Sequence, residues 1–364
     1  MNPGKPKAHL GAAQRAITAF LQGPYNRGEG SFHLLGTSSV RAFEKKLSDY
    51  MGMRYALATS SGTAALLALG KAINLGPSDE FIVSPYAWGG DLVWCEFLRA
   101  RPVFADVDSA TLNLDPESVR KSISRKTKAI LAVEYEGIPA DDEALRQIAD
   151  EHGIYLVVDG ARSLGALRQG RPAGNRAHAV VLSFTHGKDL DLGEGGAVLT
   201  DDPRLYHKLL LHSQHTLRLK RELGLDHREE PLFNGRIHPL AAILGEHLFE
   251  PALERVRQRQ KRYYPLVEAL NASGLTLPLP FSPGHLEPSF YTLSVALKEG
   301  VCEEDLLEYL LQHGWSVRIK PLAEKERPVW EKVRSRKCSN PRRECCPVLE
   351  REMARRLILA QVDG

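Results

Sequence analysis

The stretch AILAVEYEGIPADDEALRQIADEHGIYLVVDG, residues 129–160, decides the fold class. AILAVEY (129–135) and IYLVVDG (154–160) are mostly apolar runs, which are typical of strands buried on both faces. Between them, DDEALRQIADEHG (141–153) has the apolar spacing of an amphipathic helix and ends at a glycine. A strand–helix–strand order of this kind predicts a parallel sheet covered by helices.

The same alternation extends upstream to about residue 54, and the pattern changes after about residue 250. We predict further strands at 54–59, 81–85 and 102–108, and helices at 60–73, 89–98 and 114–123. Downstream we predict a long basic helix from 251, a strand at 289–297 and a helix at 303–314. The sequence therefore predicts an α/β protein with a large domain, 1–250, whose mainly parallel sheet is covered by helices, and a smaller C-terminal α+β domain, 251–364.

Length and composition restrict the class of protein. A chain of 364 residues with 43% hydrophobic and 26% charged residues is long enough for about two globular domains, and it is not a disordered or coiled-coil chain. The formal charge of +3 does not predict a nucleic-acid partner. No apolar run of membrane-spanning length and no signal peptide are visible, so we expect a cytoplasmic protein without a membrane partner. The five cysteines lack paired CxxC spacing, so we expect no metal site.

Four strand ends carry residues suited to chemistry, and ligands of parallel sheets bind at such ends. The first is Ser60-Ser61-Gly62-Thr63, at the predicted start of a helix. Free N–H groups and the helix dipole favour an anion such as phosphate there. The alternative is an ordinary helix N-cap.

The second and third strand ends carry an aromatic segment and an acid. Trp88, in PYAW (85–88), would stack on a planar ligand or else pack in the core. Asp159 ends a buried apolar strand, where a carboxylate needs a cationic partner or, alternatively, loop amides. A protonated pyridine nitrogen would be a suitable cation.

The fourth strand end is Ser183-Phe184-Thr185-His186-Gly187-Lys188, which precedes a glycine-rich turn. A partly buried lysine has a lowered pKa and can form a Schiff base, whereas most lysines lie on the surface. A phosphate cradle, a stacking ring, a carboxylate and an amine, all at strand ends, together indicate pyridoxal 5′-phosphate (PLP) as the ligand.

The sequence resembles the DegT/StrS family of fold-type-I, PLP-dependent sugar aminotransferases. The resemblance rests on long stretches that keep their order, including VRAFEKKLSDYMGMRYALATSSGTAAL, RPVFADVDSATLNLDPESV, the segment KTKAILAVEYEGIPADDEALRQIADEHGIYLVVDGARSLGA, LSFTHGKDLDLGEGGAVLTDD and NGRIHPLAAILGEHL. The resemblance implies an enzyme that moves an amino group from an amino acid to a nucleotide-linked keto sugar or a cyclitol. Glutamate is the expected amino donor.

The resemblance also implies roles for particular residues. Lys188 and Asp159 would be catalytic, the lysine holding PLP and moving the proton, the aspartate pairing with the pyridine nitrogen. The other cofactor-binding residues would be Ser61, Gly62, Thr63 and Ser183 at the phosphate, Trp88 on the ring, Arg162 near the phenolic oxygen, and Asn234. Asn234 would reach the phosphate of a neighbouring subunit, which implies a homodimer with its active site at the interface.

Arg162 departs from the family pattern, in which this position usually holds Gln or His. A guanidinium would bind the cofactor's phenolate, bind a substrate carboxylate, or turn away to a surface acid. This departure, with an altered C-terminal region, leaves one alternative to the sugar aminotransferase, which is other PLP chemistry on an amino acid. Because a fold alone does not prove activity, a non-catalytic regulatory protein that kept the fold is a second alternative.

Overall fold

The structure is a computed structural model that describes residues 5–25, 36, 38–225, 233–325, 328 and 346–361. Its strands are β1 (Tyr55–Thr59), β2 (Glu80–Val83), β3 (Arg101–Phe104), β4 (Thr127–Val133), β5 (Tyr155–Asp159), β6 (Leu167–Arg168), β7 (Arg171–Pro172), β8 (Ala179–Ser183), β9 (Gly196–Thr200), β10 (Leu286–Glu287), β11 (Leu293–Ala296), β12 (Val317–Pro321) and β13 (Arg356–Gln361).

The helices are α1 (Lys5–Phe20), α2 (Ser38–Met51), α3 (Gly62–Ala72), α4 (Val93–Leu98), α5 (Pro116–Ser122), α6 (Asp142–His152), α7 (Pro203–Ser213), α8 (Thr216–Leu223), α9 (Pro239–Ser273), α10 (Glu303–Gln312), α11 (Leu322–Lys325) and α12 (Pro347–Arg355). A π-helical turn, Leu21–Tyr25, follows α1, and a 3₁₀ turn, Gly89–Leu92, precedes α4.

Seven strands form one sheet in the order β1-β9-β8-β5-β4-β2-β3 within the described residues. The five strands β3, β2, β4, β5 and β8 run parallel, and β9 is antiparallel to both of its neighbours. This arrangement confirms the predicted α/β class with a mainly parallel sheet. It also brings the carboxyl ends of β4, β5 and β8 to the same edge of the sheet.

Alternate residues of the central strands pack in two separate hydrophobic clusters. Leu131 and Val133 of β4 belong to one cluster, and Ile130 and Ala132 belong to the other. Side chains alternate between the two faces of a strand, so each face of the sheet has its own core. This two-sided burial is the physical reason why the sequences of these strands are continuously apolar.

Helix α9 runs through residue 250, where the large domain was expected to end. Its first half packs in the core of the large sheet through residues such as Phe249 and Leu253. Its second half, including Leu266 and Leu270, packs with the C-terminal sheet β11-β13-β12. We therefore propose that the division between the two domains lies inside this helix.

The strand predicted at 289–297 begins only at Leu293. Two of the four residues before it bond to loops of the large domain: the Ser289 N–H donates to Gly137 O at 2.8 Å, and the Thr292 N–H donates to Glu136 O at 3.2 Å. Backbone groups used in this way are not available to a sheet, which is why the strand is shorter than predicted. No helix among the residues described is long and apolar enough to cross a membrane.

Candidate active site

A cavity of about 410 Å³ lies at the edge of the sheet where β4, β5 and β8 end. The last residues of these three strands, Val133, Asp159 and Ser183, all line it. The cavity also contains most of the residues predicted from sequence. The predicted residues that line it are Ser61, Gly62, Thr63, Trp88, Asp159, Arg162, Ser183 and Lys188.

The N-terminus of α3 forms one wall of the cavity. Ser61 is its N-cap, and the Ser61 Oγ accepts a hydrogen bond from the Ala64 N–H at 3.0 Å. The N-cap interpretation is therefore correct, yet the N–H groups of Gly62 and Thr63 precede any intrahelical acceptor and stay available to an anion. A Cβ atom on Gly62 would lie 3.0 Å from Ser183 Cβ, so glycine allows this helix end to approach the β8 wall closely.

Trp88 lies on the cavity with 61% of its surface exposed. The alternative that it packs in the core is therefore wrong. Its neighbour Tyr86 is the core residue, at 2% exposure. An indole that lines a cavity without being buried is available to stack on a planar ligand.

Asp159 is 7% exposed, and its Oδ1 accepts a hydrogen bond from the Ala161 N–H at 2.8 Å. A loop amide, the alternative partner expected from the sequence, therefore binds one oxygen of this carboxylate. Asp91 lines the same cavity, and burial, followed by the negative charge of Asp159, raises the pKa of the Asp91 carboxyl group well above its usual range. A buried acid at this position can meet a cationic ligand group.

Lys188 is partly buried and lines the cavity, so it is not an ordinary surface lysine. Burial lowers the pKa of its ammonium group, and the positive charge of Arg162 lowers it further, while Asp159 opposes the shift. The loop that carries the lysine is held by Tyr291, whose hydroxyl donates to Gly187 O at 3.1 Å. A lysine of this kind has a neutral fraction that can act as a nucleophile or a base.

Arg162 lies inside the cavity between two aromatic rings. Its guanidinium carbon is 3.9 Å from the ring centroid of Tyr135 and 4.9 Å from that of Tyr291. One guanidinium nitrogen donates to Tyr135 O at 3.1 Å, and Arg162 forms no ion pair with a carboxylate among the described residues. The interpretation in which it turns away to a surface acid is therefore wrong, and its charge lies at the cavity.

Asn234 is exposed and does not line the cavity. Its neighbour Gly235 accepts a hydrogen bond from the Ser60 N–H at 2.7 Å, just before the N-cap of α3. The segment around Asn234 therefore lies against the proposed phosphate-binding loop, with the side chain facing outward.

Comparison with known proteins identifies the family. The sequence model of the DegT/DnrJ/EryC1/StrS aminotransferase family matches residues 28–359. The chain belongs to this family.

Two relatives of this aminotransferase are themselves named as aminotransferases of particular compounds. It is 33% identical over 312 residues to L-glutamine:2-deoxy-scyllo-inosose aminotransferase of Streptomyces lividus, a match that covers 82% of this chain and 71% of that one. It is 32% identical over 249 residues to UDP-2-acetamido-2-deoxy-3-oxo-D-glucuronate aminotransferase of Pseudomonas aeruginosa, covering 67% of this chain and 66% of that one.

Its fold is that of solved aminotransferase-family structures. The crystal structure of 3-amino-5-hydroxybenzoic acid synthase superposes with a TM-score of 0.77 at 25% identity, covering 97% of this chain and 90% of that one. The family decides between the alternatives left open by the sequence, in favour of amino-group transfer and against a protein without enzymatic activity.

Several residues that line this aminotransferase's cavity were missed in the sequence, among them two acids and two tyrosines. Glu134 and Tyr135 follow β4, but the predicted strand ran to residue 135 and concealed them. The rule that ligands bind after strand ends would have found both with the correct boundary. Asp91 was assigned to a predicted helix and Tyr291 to a predicted strand, and neither carried a local signal.

Glu134 should make the stability of the protein depend on pH. Burial raises the pKa of this carboxyl group to about 8 from its usual 4.5, although hydrogen bonds from Ser163 and the Ala140 N–H oppose the shift. Between these two pH values the folded chain binds one more proton than the unfolded chain. The contribution of Glu134 to the free energy of unfolding is complete below about pH 4.5. It is lost as pH rises through about 8, at about 1.4 kcal/mol per pH unit.

Urea unfolding of the Glu134→Gln variant between pH 5 and pH 8 tests this expectation. We expect the free energy of unfolding of the variant to fall less steeply with pH than that of the wild type. Glu143→Gln is the matched control, since this carboxylate is 57% exposed and pairs with Arg176 on the surface. Equal slopes for Glu134→Gln and the wild type would show that Glu134 is ionised throughout this range.

Proposed function

We propose that this aminotransferase binds PLP in the cavity and moves an amino group from an amino acid to a nucleotide-linked keto sugar or a keto cyclitol. The observation that carries the proposal is the juxtaposition of Lys188, Asp159 and the N-terminus of α3 around one cavity of about 410 Å³. These groups match the aldehyde, the pyridine nitrogen and the phosphate of PLP. The names of the relatives support the keto substrates.

The residues present fit PLP in chemical type. Ser61, Gly62 and Thr63 would hold the phosphate together with Ser183, which packs against Gly62. Asp159 would face the pyridine nitrogen, and Trp88 would cover the ring. Bound PLP supplies an electron sink that stabilises negative charge at the carbon next to the amino group.

Lys188 would move the proton. Its lowered pKa increases the neutral fraction of its Nζ, which is the form that a general base requires. Its Nζ lies 5.4 Å from the ring centroid of Tyr291, and that ring is anchored to the lysine loop through Gly187. Tyr291 would thus limit the directions that the amine can take.

Arg162 would bind the carboxylate of the amino donor. Its guanidinium is held by Tyr135 O and two aromatic rings, which leaves other N–H donors for an anion. Every α-amino acid presents a carboxylate, so this site suits glutamate and glutamine equally. The phenolate of PLP is the other anion that Arg162 would bind, and kinetics distinguish the two.

We expect Arg162→Gln to raise the KM for the amino donor by about 10-fold or more, because a hydrogen bond to a charged group contributes about 1.5–3 kcal/mol. The visible absorption maximum of the PLP-loaded protein should stay within a few nanometres of the wild type. Steady-state kinetics and absorption spectra measure the two effects. Arg168→Gln is the matched control, since Arg168 pairs with Asp141 outside the cavity. A shifted spectrum with an unchanged KM would assign Arg162 to the phenolate.

The proposed function is tested by spectroscopy and then by turnover. The protein loaded with PLP should absorb in the visible, and excess glutamate or glutamine should bleach that band. A panel of keto-sugar nucleotides and keto cyclitols should then restore it. A protein that binds PLP but is bleached by no amino acid would contradict the proposed reaction.

We also propose that the protein is a homodimer in which Asn234 contacts the phosphate bound to the other subunit. Its exposed side chain next to the phosphate-binding loop supports this arrangement. Light scattering would give the mass in solution. A monomer that binds PLP fully would contradict the proposal.

A further inference from the structure

The loop that carries Lys188 lies outside the regular elements, between β8 and β9, and distant residues hold it in place. The two neighbours of the lysine are each bonded to another part of the chain. Gly187 O accepts a hydrogen bond from the Tyr291 hydroxyl at 3.1 Å, and Asp189 O accepts one from Arg255 Nη2 at 2.9 Å. The position of the lysine amine therefore depends on groups that lie far from it in the sequence.

Arg259 of α9 binds the side chain next to the lysine. Its Nη1 pairs with Asp189 Oδ1 at 2.8 Å, and the Asp189 side chain is only 8% exposed. Its Nε donates a hydrogen bond to Ser289 O at 2.6 Å. The Ser289 hydroxyl in turn donates to Arg162 O at 2.8 Å. One guanidinium thus connects the residue after Lys188 with the segment that holds Arg162.

The part of α9 that carries this guanidinium is tightly packed. It lies so close to the loop after β5 that a Cβ atom on Gly165 would be 2.7 Å from Val256 Cγ1. The next residue after Arg259, Gln260, is buried, and its Nε2 donates to Pro288 O at 2.9 Å. Packed helices and strands hold functional groups more precisely than loops do. Arg259 therefore reaches both segments from a fixed support.

We propose that Arg259 is a positioning residue, which holds Lys188 through Asp189 and Arg162 through Ser289 at the separation that an amino donor requires. This inference rests on the proposed function. Neither Arg259 nor Asp189 lines the cavity, so their effect on the reaction passes through the residues that do. In an α-amino acid, the carboxylate for Arg162 and the proton for Lys188 are attached to the same carbon atom. The two side chains must therefore keep one fixed separation.

This role differs from a merely structural one in the reactions of the folded protein. An ion pair that only stabilises the fold would change the free energy of unfolding and leave those reactions unaffected. Two rates report a positioning role. The first is the rate at which the full chain forms the visible band with PLP, which reports on the Lys188 amine without any amino donor. The second is kcat/KM for the amino donor, which reports on Lys188 and Arg162 together.

The experiment compares Asp189→Asn, Arg259→Gln and the double variant with the wild type, at a urea-free temperature where each is folded by circular dichroism. We expect both single variants to form the band about 10-fold more slowly, because misplacing a reacting group by about 1 Å can lower a rate by about 100-fold. Arg259→Gln should lose more kcat/KM than Asp189→Asn, because it also releases Ser289. The double variant should be no slower than Arg259→Gln, because both substitutions break the same ion pair.

Arg257→Gln is the matched control on the same helix. Arg257 pairs with Glu254 at 3.2 Å, and both side chains are more than half exposed. Its variant should keep both rates. Arg259→Lys should recover the rate of band formation but not kcat/KM, since an ammonium group can pair with Asp189 but lacks the planar fork that binds Ser289 O as well.

Wild-type rates in both Arg259→Gln and Asp189→Asn, whatever their stability, would overturn the inference and leave the proposed function intact. A loss of equal size in Arg257→Gln would also overturn it, because the effect would then come from the charge of the helix. If Arg259→Gln does not fold, the nearly isosteric Asp189→Asn decides alone. Failure of the wild type to form a visible band with PLP would overturn the proposed function and this inference together.

Discussion

Lys188→Ala should lose the visible absorption band of the PLP-loaded protein and reduce turnover by at least about 100-fold. The band requires a covalent link between PLP and an amine, and Lys188 has the amine that lines the cavity next to Asp159. A positioned proton-transferring group alone contributes roughly 10²- to 10⁴-fold to a rate. The band is measured after gel filtration removes free PLP, and turnover is measured with a saturating amino donor.

Lys128→Ala is the matched control for this variant. Lys128 belongs to β4, pairs with Asp79 on the surface and lies outside the cavity. Its variant should keep both the band and the rate. If Lys188→Ala keeps a band that survives gel filtration, another amine holds PLP, and the assignment of the site to this lysine is wrong.

Arg218→Met should destabilise the fold by about 3–5 kcal/mol, the usual effect of removing one partner from a buried ion pair. The Arg218 side chain is 1% exposed, and its NH2 donates to Glu44 Oε2 at 2.8 Å. Its Nε donates to Glu222 at 2.8 Å. Methionine would fill the volume but leave the buried Glu44 carboxylate without its cation. The free energy of unfolding in urea measures the loss.

Arg41→Met tests whether the loss of stability depends on the burial of the ion pair or only on the removal of a positive charge. Arg41 also pairs with Glu222, at 2.6 Å, but its side chain is 43% exposed. A surface ion pair is worth roughly 0–1 kcal/mol, so this variant should remain close to the wild type. Equal losses for the two variants would contradict the argument from burial. Adding Glu44→Gln to Arg218→Met should recover part of the stability, because no unpaired charge then remains.

This buried cluster also supports the active site. Glu44 accepts a hydrogen bond from the Ala58 N–H in β1 at 3.0 Å. That strand leads directly into the N-cap of α3 at Ser61. Loss of Arg218 should therefore weaken PLP binding as well as the fold.

The elements around the sheet were largely predictable because their signals are local. The apolar runs of β4 and β5 and the capped helix α6 all lie within 129–160, and each was predicted to within a few residues. Errors arose at boundaries where tertiary bonds compete with strand pairing. Residues 289–292 have the composition of a strand, yet the N–H groups of Ser289 and Thr292 donate to loops of the large domain.

The sequence by itself determined the α/β fold, together with the strand ends that carry Asp159, Ser183 and Lys188, and its resemblance to known sequences indicated the family. The fold and the strand ends follow from apolar periodicity and from the rule that parallel strands present their ligand-binding residues at one edge. Only the tertiary structure decided the surroundings of Arg162 and brought Tyr291, more than a hundred positions along the chain, beside Lys188. It alone placed Asp91 and Asp159 in one cavity and buried Arg218 against Glu44. Whether a charged side chain is paired, buried or free depends on residues distant in sequence, and no local pattern records that contact.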